Sequence, residues 1–276
     1  MPTILLAEDD ASTRNAVRTL LEKQGHDVIS VGDGQEAMDQ FEKNPCGLVI
    51  TDIWMPGLTG LELLTTLRSL PAPPKVVVMT ADNTPETLLQ AVKDQTYAYL
   101  VKPIDSEELL RVVDDALSAE SDALAIEVVS AKPDWVELRV PCTRSSAERV
   151  RTFMLNLEAD LDDATRDDVG SAFYELLSNA VEWGGALDPN AWVRIACLRF
   201  DRMLMYRIQD PGPGFRLDAL KHAAIGQPDD PIAHMKVREE QGIRPGGFGI
   251  KMAQNMVDEL LYNESQNEVV FIRYLD

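Results

Sequence analysis

The feature that most constrains the fold is a fivefold alternation of short apolar runs and amphipathic stretches over residues 1–120. The runs have the length of strands and most are rich in β-branched residues, whereas the stretches between them repeat apolar residues at helical spacing. This alternation predicts an α/β fold with a doubly wound, five-stranded parallel sheet and helices on both faces. The predicted strands are 4–7, 27–31, 48–50, 75–79 and 97–101.

Polar side chains stand at the ends of four of these strands. Glu8 and Asp9 follow the first strand, Asp52 follows the third, Thr80 ends the fourth and Lys102 ends the fifth. Because the carboxyl ends of parallel strands meet at one edge, we expect these side chains to converge. An acidic pair such as Glu8 and Asp9, taken alone, is more often a helix N-terminal signal. Convergence of all five indicates a reactive site instead.

Three clustered carboxylates repel one another and favour a hard divalent cation such as Mg²⁺. Asp52 is then expected to accept a phosphoryl group, with Asp9 as a direct metal ligand and Glu8 as a ligand through water. Lys102 and Thr80 have catalytic roles on this interpretation. The lysine provides a charge for the phosphoryl oxygens and the threonine a hydroxyl donor.

Four motifs resemble the receiver domain of bacterial response regulators, over about residues 1–120. They are LLAEDD at 5–10, VITDIWMPGLTG at 49–60, VVVMTA at 76–81 and YLVKPI at 99–104. The resemblance implies a flavodoxin-like fold and phosphorylation of Asp52 by a sensor histidine kinase. It also implies that the Trp54 carbonyl binds the metal.

The same resemblance implies a conformational switch. Thr80 is drawn to the phosphoryl group and Tyr99 turns inward, although a strand aromatic more commonly has a plain packing role. A switch of this kind remodels the surface of the fourth and fifth helices, about residues 84–94 and 105–117.

A second domain is predicted from about residue 122, so that the chain divides into 1–121 and 122–276. Its pattern is a strand hairpin, two helices, two strands, a Gly/Pro loop, a helix and a last strand, which indicates an α/β sandwich. The two predicted strands before the loop are 192–200 and 203–209, and the last helix and strand are 250–262 and 268–274.

Two kinds of signal indicate a ligand pocket in this second domain. Glu175 and Asn179 share a polar stripe on a predicted helix, a pattern that is by default a solvated face. Asp210-Pro-Gly-Pro-Gly, however, leaves a strand directly, and Gly246-Gly-Phe-Gly runs into a helix. Glycines let backbone approach a ligand, and a helix N-terminus offers free N–H groups to phosphate.

These motifs resemble the Bergerat-type ATP-binding fold shared by histidine kinases and gyrase, over about residues 133–276. ELLSNAVEWG at 175–184, DPGPGF at 210–215 and RPGGFGIKMAQNMVDEL at 244–260 are most similar to its anti-sigma-factor serine kinase branch. The resemblance implies that Asn179 binds Mg²⁺ on the ATP phosphates and that Glu175 is a general base or orients water. Asp210 is implied to hydrogen-bond the adenine amino group.

The resemblance also assigns the rest of the pocket. Arg244 is a candidate γ-phosphate contact, with a solvated arginine as an equal alternative, and about residues 223–244 form a lid. That branch commonly has a histidine where this chain has Trp183, which puts lid packing and turnover in question. The glycines implied to shape the pocket are Gly212, Gly214, Gly247 and Gly249.

The function predicted from these features is a two-component response regulator in which Asp52 phosphorylation controls an ATP-dependent serine/threonine protein kinase. The implied substrate is an anti-sigma-factor antagonist, and the same surface could hold a sigma factor. No phosphoacceptor histidine hairpin fits between residues 118 and 133, so we expect transfer to another protein. The alternative is a non-catalytic, nucleotide-gated protein-binding module.

Charge disfavours a third class, DNA-binding output, because the chain carries 26 Lys and Arg against 46 Asp and Glu, a formal net charge of −20. The same negative charge disfavours binding to anionic membranes. The sequence has no run of about 18 uncharged apolar residues, so no membrane-spanning helix is predicted. The scattered cysteines and the acidic N-terminus favour a reduced, cytoplasmic protein. Homodimerisation is left open, since receivers and the related kinases both often dimerise.

Overall fold

A computed structural model describes residues 2–82, 84–118, 126–214 and 248–275. The chain forms two compact units, Met1–Ala123 and Leu124–Asp276. The boundary predicted between residues 121 and 122 falls among residues 119–125, which lie outside the described ranges. No described helix is both long enough and apolar enough to cross a bilayer.

The first unit is a five-stranded parallel sheet in the order β2-β1-β3-β4-β5, which confirms the predicted doubly wound α/β fold. Its strands are β1 (Thr3–Ala7), β2 (Asp27–Val31), β3 (Leu48–Asp52), β4 (Lys75–Thr80) and β5 (Ala98–Val101). Its helices are α1 (Ala11–Lys23), α2 (Gly34–Lys43), α3 (Gly60–Arg68), α4 (Pro85–Lys93) and α5 (Ser106–Ser118).

The central strands of this sheet are buried on both faces. Every residue of β3 and all but the first of β4 are buried, as expected for apolar runs in a parallel sheet covered by helices. Local signals start the helices: Thr59 and Glu62 form a reciprocal capping box at α3. The carboxyl ends of the buried strands therefore lie at one edge of a well-packed core.

The second unit is an antiparallel sheet, which within the described residues has six strands in the order β10-β11-β9-β8-β7-β6. Its strands are β6 (Glu127–Lys132), β7 (Trp135–Pro141), β8 (Trp192–Phe200), β9 (Met203–Gln209), β10 (Glu259–Tyr262) and β11 (Glu268–Tyr274). Its helices are α6 (Arg144–Leu157), α7 (Asp163–Asn179) and α8 (Gly249–Met256), and a π-helical turn (Ala180–Gly184) extends α7.

One sequence prediction in this unit is wrong. Residues 250–262 were expected to form one helix, but α8 ends at Met256 and residues 259–262 form β10. Val257 is extended, and the Asp258 N–H donates to the Ile272 carbonyl at 3.0 Å. Pairing with β11 therefore outweighs the local helical spacing.

The core of the second unit is built around three aromatic side chains. The Tyr206 ring stacks on Phe271 at 4.8 Å between centroids and meets Phe173 of α7 at 5.3 Å. All three side chains are fully buried. They join β9 and β11 to α7, and two of the ligand motifs lie on α7 and directly after β9.

We expect Phe271→Ala to lower the free energy of unfolding of this unit by about 3–5 kcal/mol, because it removes a fully buried ring. Leu261→Ala in the paired strand is the control, since Leu261 is 56% exposed and should cost less than about 1 kcal/mol. Urea unfolding followed by tryptophan fluorescence measures both values. Equal losses would contradict this account of the core.

Candidate functional site

The acidic residues at the strand ends of the first unit form one cluster. Carboxylate oxygens of Glu8, Asp9 and Asp52 lie within 4.8 Å of one another. Glu8 and Asp52 are buried and Asp9 is exposed. The neighbouring Asp10 has the role of a helix cap, because its side chain accepts from the Thr13 N–H at 2.7 Å. Asp10 therefore caps α1, so the carboxylates of Glu8, Asp9 and Asp52 are not needed for helix capping.

Lys102 supplies the positive charge of this cluster. Its Nζ lies 2.5 Å from Asp52 Oδ2 and donates to Glu8 Oε1 at 2.9 Å. Burial raises the pKa of the Glu8 carboxyl, and the Lys102 hydrogen bond opposes that rise. Burial alone would lower the pKa of Lys102, but its bonds to the two carboxylates outweigh this effect and raise it. One ammonium therefore stabilises two largely buried acids.

The cluster fits a hard divalent cation. It has three carboxylates but one nearby ammonium, and the exposed Asp9 gives access from solvent. The backbone N–H of Trp54 donates to Asp52 Oδ1 at 3.4 Å, so this residue lies beside the cluster. The metal-ligand roles of these residues and of the Trp54 carbonyl stay predictions.

The two predicted switch residues meet at Asp82, which sequence reasoning missed. Thr80 is buried and its Oγ1 accepts from the Asp82 N–H at 3.0 Å. The Tyr99 hydroxyl donates to the Asp82 carbonyl at 2.5 Å, and its ring is buried. Burial, followed by the charges of Asp82 and Asp52, raises the pKa of Tyr99. The inward position of Tyr99 is the one occupied here.

In the second unit, a cavity of about 210 Å³ lies between α7, the loop after β9 and the β10–β11 hairpin. The predicted residues Asn179, Asp210, Gly212 and Gly214 line it, together with Trp183 of the π-helical turn. Tyr262, Asn267 and Glu268 also line the cavity. No ligand motif of the sequence includes these three: Tyr262 ends the segment predicted as a helix, whereas Asn267 directly precedes and Glu268 begins the last predicted strand.

Asp210 is held by close backbone contacts. Its Oδ1 accepts from the Gly212 N–H at 2.8 Å, and burial raises the pKa of its carboxyl despite that bond. A Cβ on Gly184 would lie 2.3 Å from the Asp210 Cγ. Only glycine fits at position 184, which explains why the motif at 175–184 ends in glycine.

Glu175 and Asn179 both face the start of α8. A Cβ on Gly249 would lie 2.2 Å from Glu175 Oε2 and 3.7 Å from Asn179 Nδ2. The predicted carboxylate and amide therefore stand together at a helix N-terminus, a favourable environment for phosphate. Gly247, Arg244 and the predicted lid at 223–244 lie outside the described residues.

Comparison with known families matches both units. Residues 4–114 match the response regulator receiver domain, and residues 140–273 match the histidine kinase-like ATPase domain. Residues 4–114 therefore form a receiver domain, and residues 140–273 form a histidine kinase-like ATPase domain.

Individual relatives match part of the chain. The DNA-binding transcriptional regulator NtrC of Azospirillum brasilense is 31% identical over 132 residues, 48% of this chain and 27% of the relative. The regulatory protein VanRB of Enterococcus faecalis is 39% identical over 124 residues, 45% of this chain and 56% of the relative. The chain thus spans about a quarter and about half of these proteins' lengths.

Among solved structures, the receiver domain of the Francisella response regulator 1452 is 30% identical with a TM-score of 0.40. The similarity covers 41% of this chain and 95% of that one.

We expect Lys102→Ala to destabilise the receiver domain by about 2–4 kcal/mol, because it leaves two buried carboxylates without their counter-charge. Addition of Mg²⁺ should restore more stability to this variant than to the wild type, since the cation replaces the lost charge. Urea titrations with and without Mg²⁺ measure both effects. Lys43→Ala, at an exposed position of α2, is the control, and an equal Mg²⁺ response in all three proteins would contradict the prediction.

We expect Gly184→Ala in the ATPase domain to weaken ATP binding at least about tenfold, since its Cβ would displace the Asp210 carboxylate. Gly170→Ala on α7 is a matched control, because its Cβ would meet only the flexible end of Leu155. Isothermal titration calorimetry measures the dissociation constants. Unchanged affinity in Gly184→Ala would show that the Asp210 position does not matter for the nucleotide.

Proposed function

We propose that phosphorylation of Asp52 controls an ATP-dependent serine/threonine protein kinase activity of the ATPase domain. The observation that carries this proposal is the placement of Glu175 and Asn179 together against Gly249 at the start of α8, beside the Asp210 cavity. A carboxylate adjoining a phosphate-binding helix terminus supports group transfer to a hydroxyl.

The transfer would proceed by positioning and charge neutralisation. The γ-phosphoryl group leaves ADP and bonds to the oxygen of a serine or threonine, whose proton passes to Glu175. Asn179 would hold Mg²⁺ through its amide oxygen, and the ion would supply positive charge that neutralises the phosphates. Asp210 orients the nucleotide through its base. Glu175 is half-buried, and its carboxylate faces the start of α8 at Gly249.

The phosphoryl acceptor is proposed to be another protein. The described part of the ATPase domain begins with the β6–β7 hairpin, and no histidine-bearing helical hairpin occurs among residues 126–214. By the resemblance to the anti-sigma-factor kinase branch, the substrate is an anti-sigma-factor antagonist, and a sigma factor is a further partner. A cytoplasmic sensor-kinase pathway would supply the phosphoryl group for Asp52.

A second candidate is a nucleotide-gated binding module without turnover. Trp183 favours it, because this large side chain lines the cavity at 52% exposure where the related kinases commonly have histidine. In that case ATP and Asp52 phosphorylation change which partner is bound, and no serine is modified.

The test is incubation of the full chain with labelled Mg-ATP and the antagonist-type protein encoded nearest to it. We expect label on a serine or threonine, and at least about a hundredfold slower labelling in Glu175→Gln and Asn179→Ala, since they remove the proton acceptor and the metal ligand. Glu127→Gln is the control, because Glu127 only pairs with Arg139 at an exposed site.

The outcomes separate the two candidates. ATP binding without transfer to any partner would support the module and refute the kinase. Absence of ATP binding would refute both.

Control by Asp52 is tested in the same assay with an acyl-phosphate mimic. We expect the mimic to change the labelling rate by about 5- to 150-fold, the usual range of allosteric coupling. Asp52→Asn should abolish that change without altering the basal rate. If the mimic leaves the labelling rate unchanged, the proposed control of the ATPase domain by Asp52 is wrong.

A further inference from the structure

The turn between β10 and β11, residues 263–267, is in contact with the loop that carries Asp210. Gly214 has φ +82°, and a Cβ on it would lie 1.7 Å from the Ser265 carbonyl oxygen. The backbones of the turn and the loop therefore touch directly. A loop rich in proline and glycine, 210–214, is braced by a distant segment of the chain.

Asn267 makes four polar contacts at this junction. Its carbonyl accepts from the Asp210 N–H at 2.9 Å, and its Nδ2 donates to the Gly212 carbonyl at 3.2 Å. Its own N–H donates to Asn263 Oδ1 at 3.1 Å, and its Oδ1 accepts from Asn263 Nδ2 at 2.8 Å. One residue thus bonds both ends of the Asp210–Gly212 segment and is itself held by Asn263.

These contacts determine how Asp210 is presented to the cavity. The Gly212 N–H donates to Asp210 Oδ1, and Gly184 closes against that same oxygen. Among the described residues, no hydrogen bond competes for Oδ2 within this loop, so that oxygen can accept from a ligand. A carboxylate oxygen favours an exocyclic amino group and repels a carbonyl oxygen, so its position discriminates a 6-aminopurine from a 6-oxopurine.

We propose that Asn267, clamped by Asn263, is a positioning residue that sets the base selectivity of the nucleotide cavity. It acts through its hydrogen bonds to Asp210 and Gly212. The inference rests on the proposed nucleotide function of this cavity. Its physical basis is that a base amino group whose acceptor is displaced loses its hydrogen bond in the site, which weakens binding of the base that carries it.

The experiment measures dissociation constants of ATP and GTP for the full chain by isothermal titration calorimetry. In Asn267→Ala we expect ATP binding to weaken about tenfold or more and GTP binding to change by less than about threefold, so that the ATP/GTP ratio falls. A merely structural role would weaken both nucleotides equally. Asn190→Ala, in an exposed turn of the same domain, is the control.

Two further variants resolve the mechanism. Asn267→Asp keeps an acceptor for Asn263 but loses the donor to Gly212, so it should reproduce the lost selectivity. Asn263→Ala removes the clamp on Asn267, together with the acceptor of the Glu268 N–H, and should shift the ratio in the same direction by less. If circular dichroism shows that Asn267→Ala does not fold, the ATP/GTP ratios of these two variants test the proposal instead.

The failures are distinguishable. Wild-type protein that binds neither nucleotide refutes the proposed function, and with it this inference. Wild-type protein that binds both equally, or Asn267 variants that bind ATP with the wild-type ATP/GTP ratio, refute the inference alone.

Discussion

The ion cluster of Lys102 with Glu8 and Asp52 is the interaction on which the receiver domain depends. Each carboxylate alone would be costly to bury, and the ammonium offsets both at distances of 2.5–2.9 Å. The cluster brings β1, β3 and β5 to a common edge, so the sheet and the site stabilise each other. A negative excess remains there, and three clustered carboxylates of this kind fit a hard divalent cation.

The ATPase domain builds its site differently, by close backbone approach. Because they lack a side chain, three glycines allow close packing: Gly184 against the Asp210 carboxylate, Gly249 against Glu175, and Gly214 against the β10–β11 turn. At each of these contacts a methyl group would collide with the neighbouring residue. The carboxylates of Asp210 and Glu175 are therefore packed against main chain, and the aromatic core of Phe173, Tyr206 and Phe271 joins α7 to the sheet.

The receiver fold was predictable because its signals are local and repeated. Each strand is a mostly apolar run, four of the five have a polar residue at or directly after the carboxyl end, and Asp52 and Lys102 were found from those positions. The prediction failed at residues 259–262, where helical spacing continues but β11 offers pairing. It also missed Asp82, whose role depends on backbone groups that meet Thr80 and Tyr99.

The sequence by itself determined the α/β class, the order of the two domains and the residue types of both sites, because hydrophobic period and strand-end position are local properties. Only the tertiary structure decided that Asp10 rather than Asp9 caps α1 and that Asn267 holds the Asp210 loop. Asn267 and Gly212 are 55 residues apart in the chain. A hydrogen bond over that separation forms only after the sheet has brought its partners together, so no local pattern records it.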